Sequence, residues 1–346
     1  MKNFTRFVFF LCLVPVFIFS QVLKVDMGKV DEVEFIGLEQ WTPQMVLDSF
    51  TNCSDSTCFK DGTFKIYCNY CIKDRLPFAS VHAQTFLKKD RKLKVVIFAV
   101  EPQYKSILKY TKLPVESKNK DKRWSKLDTA VHDMDLSLQA VLQFYYVLAE
   151  AGRDSVKAIL KSFEEYGIDS VDVKKCYENI RSFNKKEDFV NAVTTLRTDA
   201  NQDNRKPALC VLANFPENPG TYSALFDALA AEGDRGNETV IAELVMASLI
   251  KMNKPDLNII EFSGSLKPLL MGANIQHFLN VMEFLSSVKH MDKESRHFIL
   301  KYSKRLCVNY LKSQSFSERI KKCVEILADK NFNSSDDCIA YLETVM

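Results

Sequence analysis

The sequence has few glycines, few histidines and none of the short motifs that mark common catalytic sites. Its 346 residues include 10 glycines and 5 histidines. It contains no glycine-rich phosphate loop, no G-x-S-x-G nucleophile turn, no calcium loop and no H-E-x-x-H metal motif. Few glycines leave little material for loops whose backbone must approach a ligand closely. The sequence therefore predicts a protein without a cofactor and without enzymatic activity.

The chain also lacks a strong excess of charge of either sign. It has 47 Lys and Arg against 44 Asp and Glu, a formal net charge of +3. Domains that bind nucleic acid commonly carry a marked basic excess, so we expect no nucleic-acid partner. At 47% apolar residues, a chain of this length can form two hydrophobic cores, and two domains are the expectation.

No apolar run is long enough to cross a membrane, but residues 1–20 have the pattern of an export signal. Two early positive charges precede an uninterrupted apolar run over residues 7–19. Because a spanning helix needs roughly 20 apolar residues, we expect cleavage near Ser20 rather than a permanent anchor. The predicted location is secreted or periplasmic, where cysteines are oxidised readily.

Four cysteines lie close together in the first half of the chain, and in an exported protein this clustering favours two structural disulfides. These are Cys53, Cys58, Cys68 and Cys71. The same four thiols could instead form a tetrahedral zinc site. A third alternative is a redox pair in the C-x-x-C segment, where one thiol can have a lowered pKa.

Residues 22–110 predict a small α+β domain. Alternating apolar residues indicate a strand at 30–38, and Thr42 and Pro43 fit the N-cap and first residue of a helix. Two further β-rich runs, 80–87 and 93–100, flank a charged turn and predict a hairpin.

This order, with the segments VDEVEFIGLEQWTPQMVLDSF and KLKVVIFAVEPQY, resembles a POTRA domain, a small module of exported proteins. The resemblance implies a domain that binds neighbouring chains, often by offering a sheet edge to an added strand, and it implies no catalysis. A different α+β fold remains the alternative.

Residues 111–129 predict a basic linker, which is usually solvated. The alternative function of this segment is contact with anionic lipid headgroups or an acidic polymer, aided by Trp124. Its basic residues are Lys118, Lys120, Lys122, Arg123 and Lys126.

Residues 130–346 predict an all-helical domain with short polar turns. Asn218 before Pro219 fits an N-cap, and Ser315 with Glu318 fits a capping box. Five cysteines fall on apolar stripes and predict core packing, with one disulfide possible between the last helices. They are Cys176, Cys210, Cys307, Cys323 and Cys338. The first predicted helix runs from about 133 and ends at Gly152, and the second stops at Gly167. The further predicted helices are 170–183, 186–198, 204–214, 219–231, 237–251, 257–270, 273–288, 292–312, 316–329 and 334–345.

Within this region, residues 190–215 and 223–249 share a pattern in which a leucine-rich helix, a polar turn and an Ala- and Leu-rich helix follow one another. The pattern resembles HEAT or related armadillo-type repeats, with a less regular copy at 266–288. The predicted fold is therefore a small α+β domain followed by a larger all-α, HEAT-like helical-hairpin array. A compact helical domain without repeats is the alternative.

These features together predict an exported, non-enzymatic protein-binding or scaffold protein, with the helical array as a broad partner surface. One alternative is the anionic-surface binder that uses the basic linker. Another is an enzyme with thiol-redox or other chemistry. For this last alternative Cys307 and His297 are candidates, but ten helical residues would separate them by about 15 Å.

We expect the four clustered cysteines of the first domain to be oxidised in the native protein. Mass spectrometry with and without reductant should show two disulfides among Cys53, Cys58, Cys68 and Cys71. Four free thiols with one equivalent of zinc would contradict this prediction, and a reactive thiol at Cys68 would favour the redox pair.

Overall fold

The computed structural model of the chain describes residues 22–27, 29–51, 75–108, 123–124, 126–127, 161, 164, 169–199, 202–235, 245 and 257–346. Within these residues the fold is mixed α+β, with a four-stranded sheet in the N-terminal part and mostly helices in the rest. The prediction of an α+β part followed by a mostly helical part is thereby confirmed.

The described elements follow the predicted order. The strands are β1 Val22–Met27, β2 Val30–Ile36, β3 Ser80–Leu87 and β4 Leu93–Val100. Helix α1, Pro43–Thr51, follows β2, and a 3-10 helix, Pro102–Ile107, follows β4. The later α-helices are α2 Ser170–Arg181, α3 Lys186–Thr198, α4 Gln202–Leu212, α5 Pro219–Arg235, α6 Ser263–Met271, α7 Phe278–Ser286, α8 Lys293–Leu311, α9 Ser317–Ala328 and α10 Ser335–Thr344. Short 3-10 helices, Ile259–Phe262 and Ile275–His277, precede α6 and α7.

Local sequence signals account for most of these elements. The predicted strands β2, β3 and β4 are confirmed, and so is α1, whose Met45 N–H lies 3.3 Å from the Oγ1 of Thr42. At α5, Asn218 Oδ1 accepts from the Gly220 N–H at 3.0 Å, which confirms the predicted cap. Strand β1, which directly follows the predicted export signal and pairs with β2, was not predicted.

The sheet has the strand order β1-β2-β4-β3. Its central strands β2 and β4 are parallel, while β1 and β3 pair antiparallel on the two outer sides. In the central pair Glu34 lies opposite Val96, and Ile36 lies opposite Phe98. Because parallel neighbours end at the same edge of a sheet, the segments after β2 and β4 come together there.

Both faces of the sheet are covered. Val33 and Phe35 of β2 point to a cluster that includes Val46 and Leu47 of α1. The other face contributes Ile36, Val96, Phe98 and Val100 to a larger cluster that also contains side chains of α4 to α10. Burying one such side chain contributes about 1.5–3 kcal/mol, so this second face joins the sheet firmly to the helices.

A buried carboxylate also joins the sheet to the helices. Glu34 is fully buried and accepts hydrogen bonds from the Gln314 N–H (2.7 Å) and the Ser315 hydroxyl (2.6 Å), while Lys94 Nζ lies 3.0 Å away. Burial acts to raise the pKa of Glu34, but the bonds from Ser315 and Lys94 outweigh it and lower that pKa. The segment before α9 is thereby anchored on the sheet.

The predicted capping box of Ser315 and Glu318 is therefore wrong. The Ser315 hydroxyl is used by Glu34, and helix α9 begins one residue later than that capping box requires. Ser313 accepts from the backbone N–H groups of Ser315 and Phe316 instead, each at 3.1 Å. A long-range polar contact has replaced a local one.

The cysteines of the helical part are buried, as predicted, at Cys210, Cys307, Cys323 and Cys338. The disulfide considered between the last helices is wrong, because the thiols of α8, α9 and α10 are unpaired. Cys176 lies in α2. Among the described residues, no helix is both long and apolar enough to cross a membrane.

A few residues of the predicted basic linker are described, and they pack against α2 and α3. Trp124 and Leu127 are buried in the larger core, and the Trp124 ring lies 5.3 Å from that of Phe183. Arg123 forms an ion pair with the buried Asp188. The rest of 111–129 lies outside the described residues, and the predicted domain division stays a prediction.

Substitution of Gly37 by alanine should strongly destabilise the protein. Gly37 follows β2 with φ +95°, and an added Cβ would overlap the Ala99 carbonyl oxygen and lie 2.7 Å from Ile275 Cδ1. Backbone strain and overlap should together lower the free energy of unfolding by about 2–4 kcal/mol, measured by urea denaturation.

The matched control is Gly264→Ala in α6, where an added Cβ meets nothing within 4 Å. Since alanine favours helix, this variant should be stabilised by up to about 1 kcal/mol. Equal unfolding midpoints for the two variants would contradict the prediction.

Candidate functional site

A groove of about 810 Å³ lies between the edge of the sheet and helix α8. One side is the turn from Leu38 to Pro43, which connects β2 to α1, together with Tyr104 of the 3-10 helix after β4. The other side is formed by α8, and Met271 and Glu343 complete the rim. The groove therefore lies at the edge where the parallel strands β2 and β4 both end, a place where ligand sites form in many α/β proteins.

A buried carboxylate holds the sheet side of the groove in shape. Glu101 follows β4, is fully buried, and accepts from the backbone N–H groups of Glu39 (2.7 Å), Gln40 (2.9 Å) and Trp41 (3.1 Å). The amide of Gln103 also donates to it at 2.7 Å. A concave row of backbone N–H groups binds an anion well, so Glu101 fixes the turn that lines the groove.

An arginine joins the two sides of the groove. Arg305 of α8 lies 3.0 Å from Glu39 Oε1, donates to the Met271 carbonyl oxygen at 2.7 Å, and stacks 3.8 Å from the Tyr104 ring centroid. The Tyr104 hydroxyl donates to Glu39 Oε2 at 2.7 Å. Burial and the Glu39 carboxylate both raise the pKa of Tyr104, so its hydroxyl stays protonated. These contacts satisfy the Arg305 guanidinium within the protein.

The α8 side carries a basic stripe, made of Lys301, Lys304, Arg305 and Lys312. Positions 301, 305 and 308 follow helical spacing and share one face of α8, and Lys312, the C-cap residue of α8, continues this face. Lys304 Nζ donates to the carbonyl oxygens of Glu343 (2.9 Å) and Val345 (3.3 Å) at the end of α10. Val308 supplies an apolar contact in the middle of the stripe. The groove can therefore bind a ligand that is both acidic and partly apolar.

None of the described residues that line the groove is among the site residues predicted from the sequence. Cys53, Cys58, Cys68 and Cys71 lie outside the described residues, as do Lys118, Lys120 and Lys122. Lys126 is exposed, whereas Arg123 is paired with Asp188 and the Trp124 indole is buried. The predicted aromatic contact of Trp124 with a lipid surface is therefore not supported by its position.

The described thiols are poorly suited to nucleophilic chemistry. Burial raises the pKa of Cys307 to about 12, that of Cys323 to about 11 and that of Cys338 to about 12, so these thiols stay protonated at neutral pH. The sulfur of Cys307 contacts the Ser303 hydroxyl at 3.4 Å, whereas His297 is exposed on the same helix. Cys307 and His297 therefore do not form a catalytic pair.

Two histidines are buried near each other, and two others are exposed. His82 of β3 lies 3.0 Å from the Ser80 hydroxyl through Nε2. Burial, with a smaller effect of His82, lowers the pKa of His277 to about 4, so this ring is neutral at physiological pH. His290 and His297 are exposed, and His132 lies outside the described residues. Across the described ranges, no cluster of three His, Cys, Asp or Glu residues is suited to a metal ion.

Sequence reasoning missed the groove. One signal was available, because Lys301, Arg305 and Lys312 recur at helical spacing within the predicted helix 292–312. No sequence signal predicted that Glu101 would bind the turn at 39–41, since the backbone N–H groups that it binds lie about 60 residues earlier in the chain.

Comparisons with protein-family models, with curated proteins and with solved structures find no match to this chain.

Glu101→Gln should loosen the turn that lines the groove. A glutamine has no charge, and its amide nitrogen would face N–H groups that now donate to a carboxylate, so we expect the free energy of unfolding to fall by about 2 kcal/mol. Hydrogen exchange at the amides of Glu39, Gln40 and Trp41 should accelerate. The control Glu187→Gln, on the exposed face of α3, should change stability by less than about 0.5 kcal/mol. Unchanged exchange in the Glu101 variant would contradict the assigned role.

Proposed function

We propose that this chain is an exported, non-enzymatic protein-binding or scaffold protein, and that its partner occupies the groove between the sheet and α8. The observation that carries the proposal is the groove itself, which is open, has a volume of about 810 Å³ and is lined by apolar, aromatic and cationic side chains. Sites of this size and mixed character suit ligands with several separated contacts.

The chemistry of the groove supports binding rather than catalysis. Two of its cationic side chains are held by internal contacts, Arg305 by Glu39 and Lys304 by the end of α10. Among the described residues, the groove lining contains no cysteine, serine or histidine, the residue types that most often act as nucleophile or base. Export itself rests on the pattern of residues 1–20, and it stays part of the proposal.

The proposal includes the resemblance of the first domain to POTRA domains and of the helical part to HEAT repeats. For a POTRA-like first domain, support comes from the order β2, α1, β3, β4 and from the outer strands β1 and β3, each of which pairs with one neighbour in the described sheet. Exposed Phe86 and Leu87 at the end of β3 suit the addition of a partner strand. For a HEAT-like array, support comes from packing between successive helices, namely α3 with α4, α8 with α9 and α9 with α10.

Site-specific photocrosslinking of the full chain tests the proposal. A crosslinking amino acid at exposed Gln40, on the groove rim, should capture a defined protein in the producing cells, whereas the same group at exposed Val190 on α3 should not. The captured protein, once purified, should bind the full chain saturably in calorimetry. Val308→Trp, which narrows the middle of the groove, should weaken this binding at least tenfold, and Ile326→Trp at an exposed position of α9 should leave it unchanged.

Two results would overturn the proposal. Binding that is equal in wild type and in Val308→Trp would place the partner elsewhere on the molecule. If the wild-type protein shows turnover in a broad hydrolase or oxidoreductase screen, and Val308→Trp abolishes this turnover, the groove is an active site.

A further inference from the structure

We infer that the groove binds an extended acidic segment of the partner protein, with two carboxylates four residues apart and an apolar residue between them. This inference rests on the proposed protein-binding function and adds the chemistry of the partner. It is carried by the positions of two lysines, Lys301 and Lys312, at opposite ends of the α8 side of the groove.

Among the described cations of the groove lining, these two lysines are the ones whose charge no internal contact compensates. Both are exposed, and neither forms an ion pair with a described residue. Arg305, by contrast, is bound by Glu39, and Lys304 by carbonyl oxygens of α10. The lining has four cations against two carboxylates, Glu39 and Glu343, so a partner with negative charge complements it.

The spacing of the lysines sets the spacing of the partner's charges. Eleven helical residues at about 1.5 Å each place Lys301 and Lys312 about 16 Å apart along α8. An extended peptide rises about 3.3 Å per residue and places alternate side chains on opposite faces, so carboxylates four residues apart share one face at about 13 Å. The flexible lysine side chains can reach both of them. A carboxylate pair next to each other in sequence could reach only one of them.

The middle of the groove favours an apolar side chain. Val308 lies between the two lysines on α8, and Leu38 and Trp41 face it across the groove. A flat lipid surface would contact exposed lysines equally well but could not enter a concave site of this kind. The combination of charged ends and an apolar centre therefore indicates a peptide segment rather than a membrane.

Fluorescence anisotropy of the full chain with labelled peptides tests the inference. The probe is the hexapeptide Glu-Ala-Leu-Phe-Glu-Ala, whose two glutamates and central leucine share one face when it is extended. The comparison peptide Glu-Glu-Ala-Leu-Phe-Ala has the same composition with adjacent carboxylates. We expect tighter binding of the first peptide, weakened by salt because exposed charges are screened. The double variant Lys301→Glu and Lys312→Glu should lose at least tenfold in affinity.

The matched control is the double variant Lys289→Glu and Lys322→Glu, which makes the same change in net charge at exposed positions outside the groove lining. It should retain the wild-type affinity. Equal loss in both double variants, equal binding of both peptides, or binding only to phosphatidylserine vesicles would overturn the inference. A captured partner that depends on Val308 but not on the two lysines would overturn the inference alone and leave the proposed function in place.

Discussion

The architecture depends on a sheet that is buried on both faces. Each polar side chain that the sheet places in the interior therefore needs a hydrogen-bond partner there. Glu34 points from β2 into the space between the sheet and the helices, where an unpaired carboxylate would be costly. Three donors, from Lys94, Gln314 and Ser315, meet it there. Since the donors come from both layers, they can satisfy this carboxylate only when the helices are docked on the sheet.

The groove follows from the same docking. Helix α8 lies beside the edge where β2 and β4 end, and Tyr310 of α8 and the following Phe316 pack against Phe98 of β4. Glu101 and Arg305 then fix the two sides of the opening. A rigid opening between two packed layers is suited to binding, since little conformational entropy is lost when a ligand enters.

The elements were largely predictable, while their contacts were not. Strands β3 and β4 have their predicted residue ranges, because alternation and a charged turn are local signals. Strand β1 was missed, since a six-residue segment beside an export signal has little pattern of its own. Ser315 shows the limit most clearly, because its local sequence fits a helix cap although its hydroxyl serves a carboxylate 281 residues away.

The sequence by itself determined where most of the described helices and strands form, the balanced charge and the lack of common catalytic motifs, because each is a property of neighbouring residues or of composition. Tertiary structure alone decided that Glu101 would support the turn at 39–41 and that α8 would face this turn across a groove. The physical reason is that these partners are far apart in the chain, and only the packing of the sheet against the helices brings them within hydrogen-bonding distance.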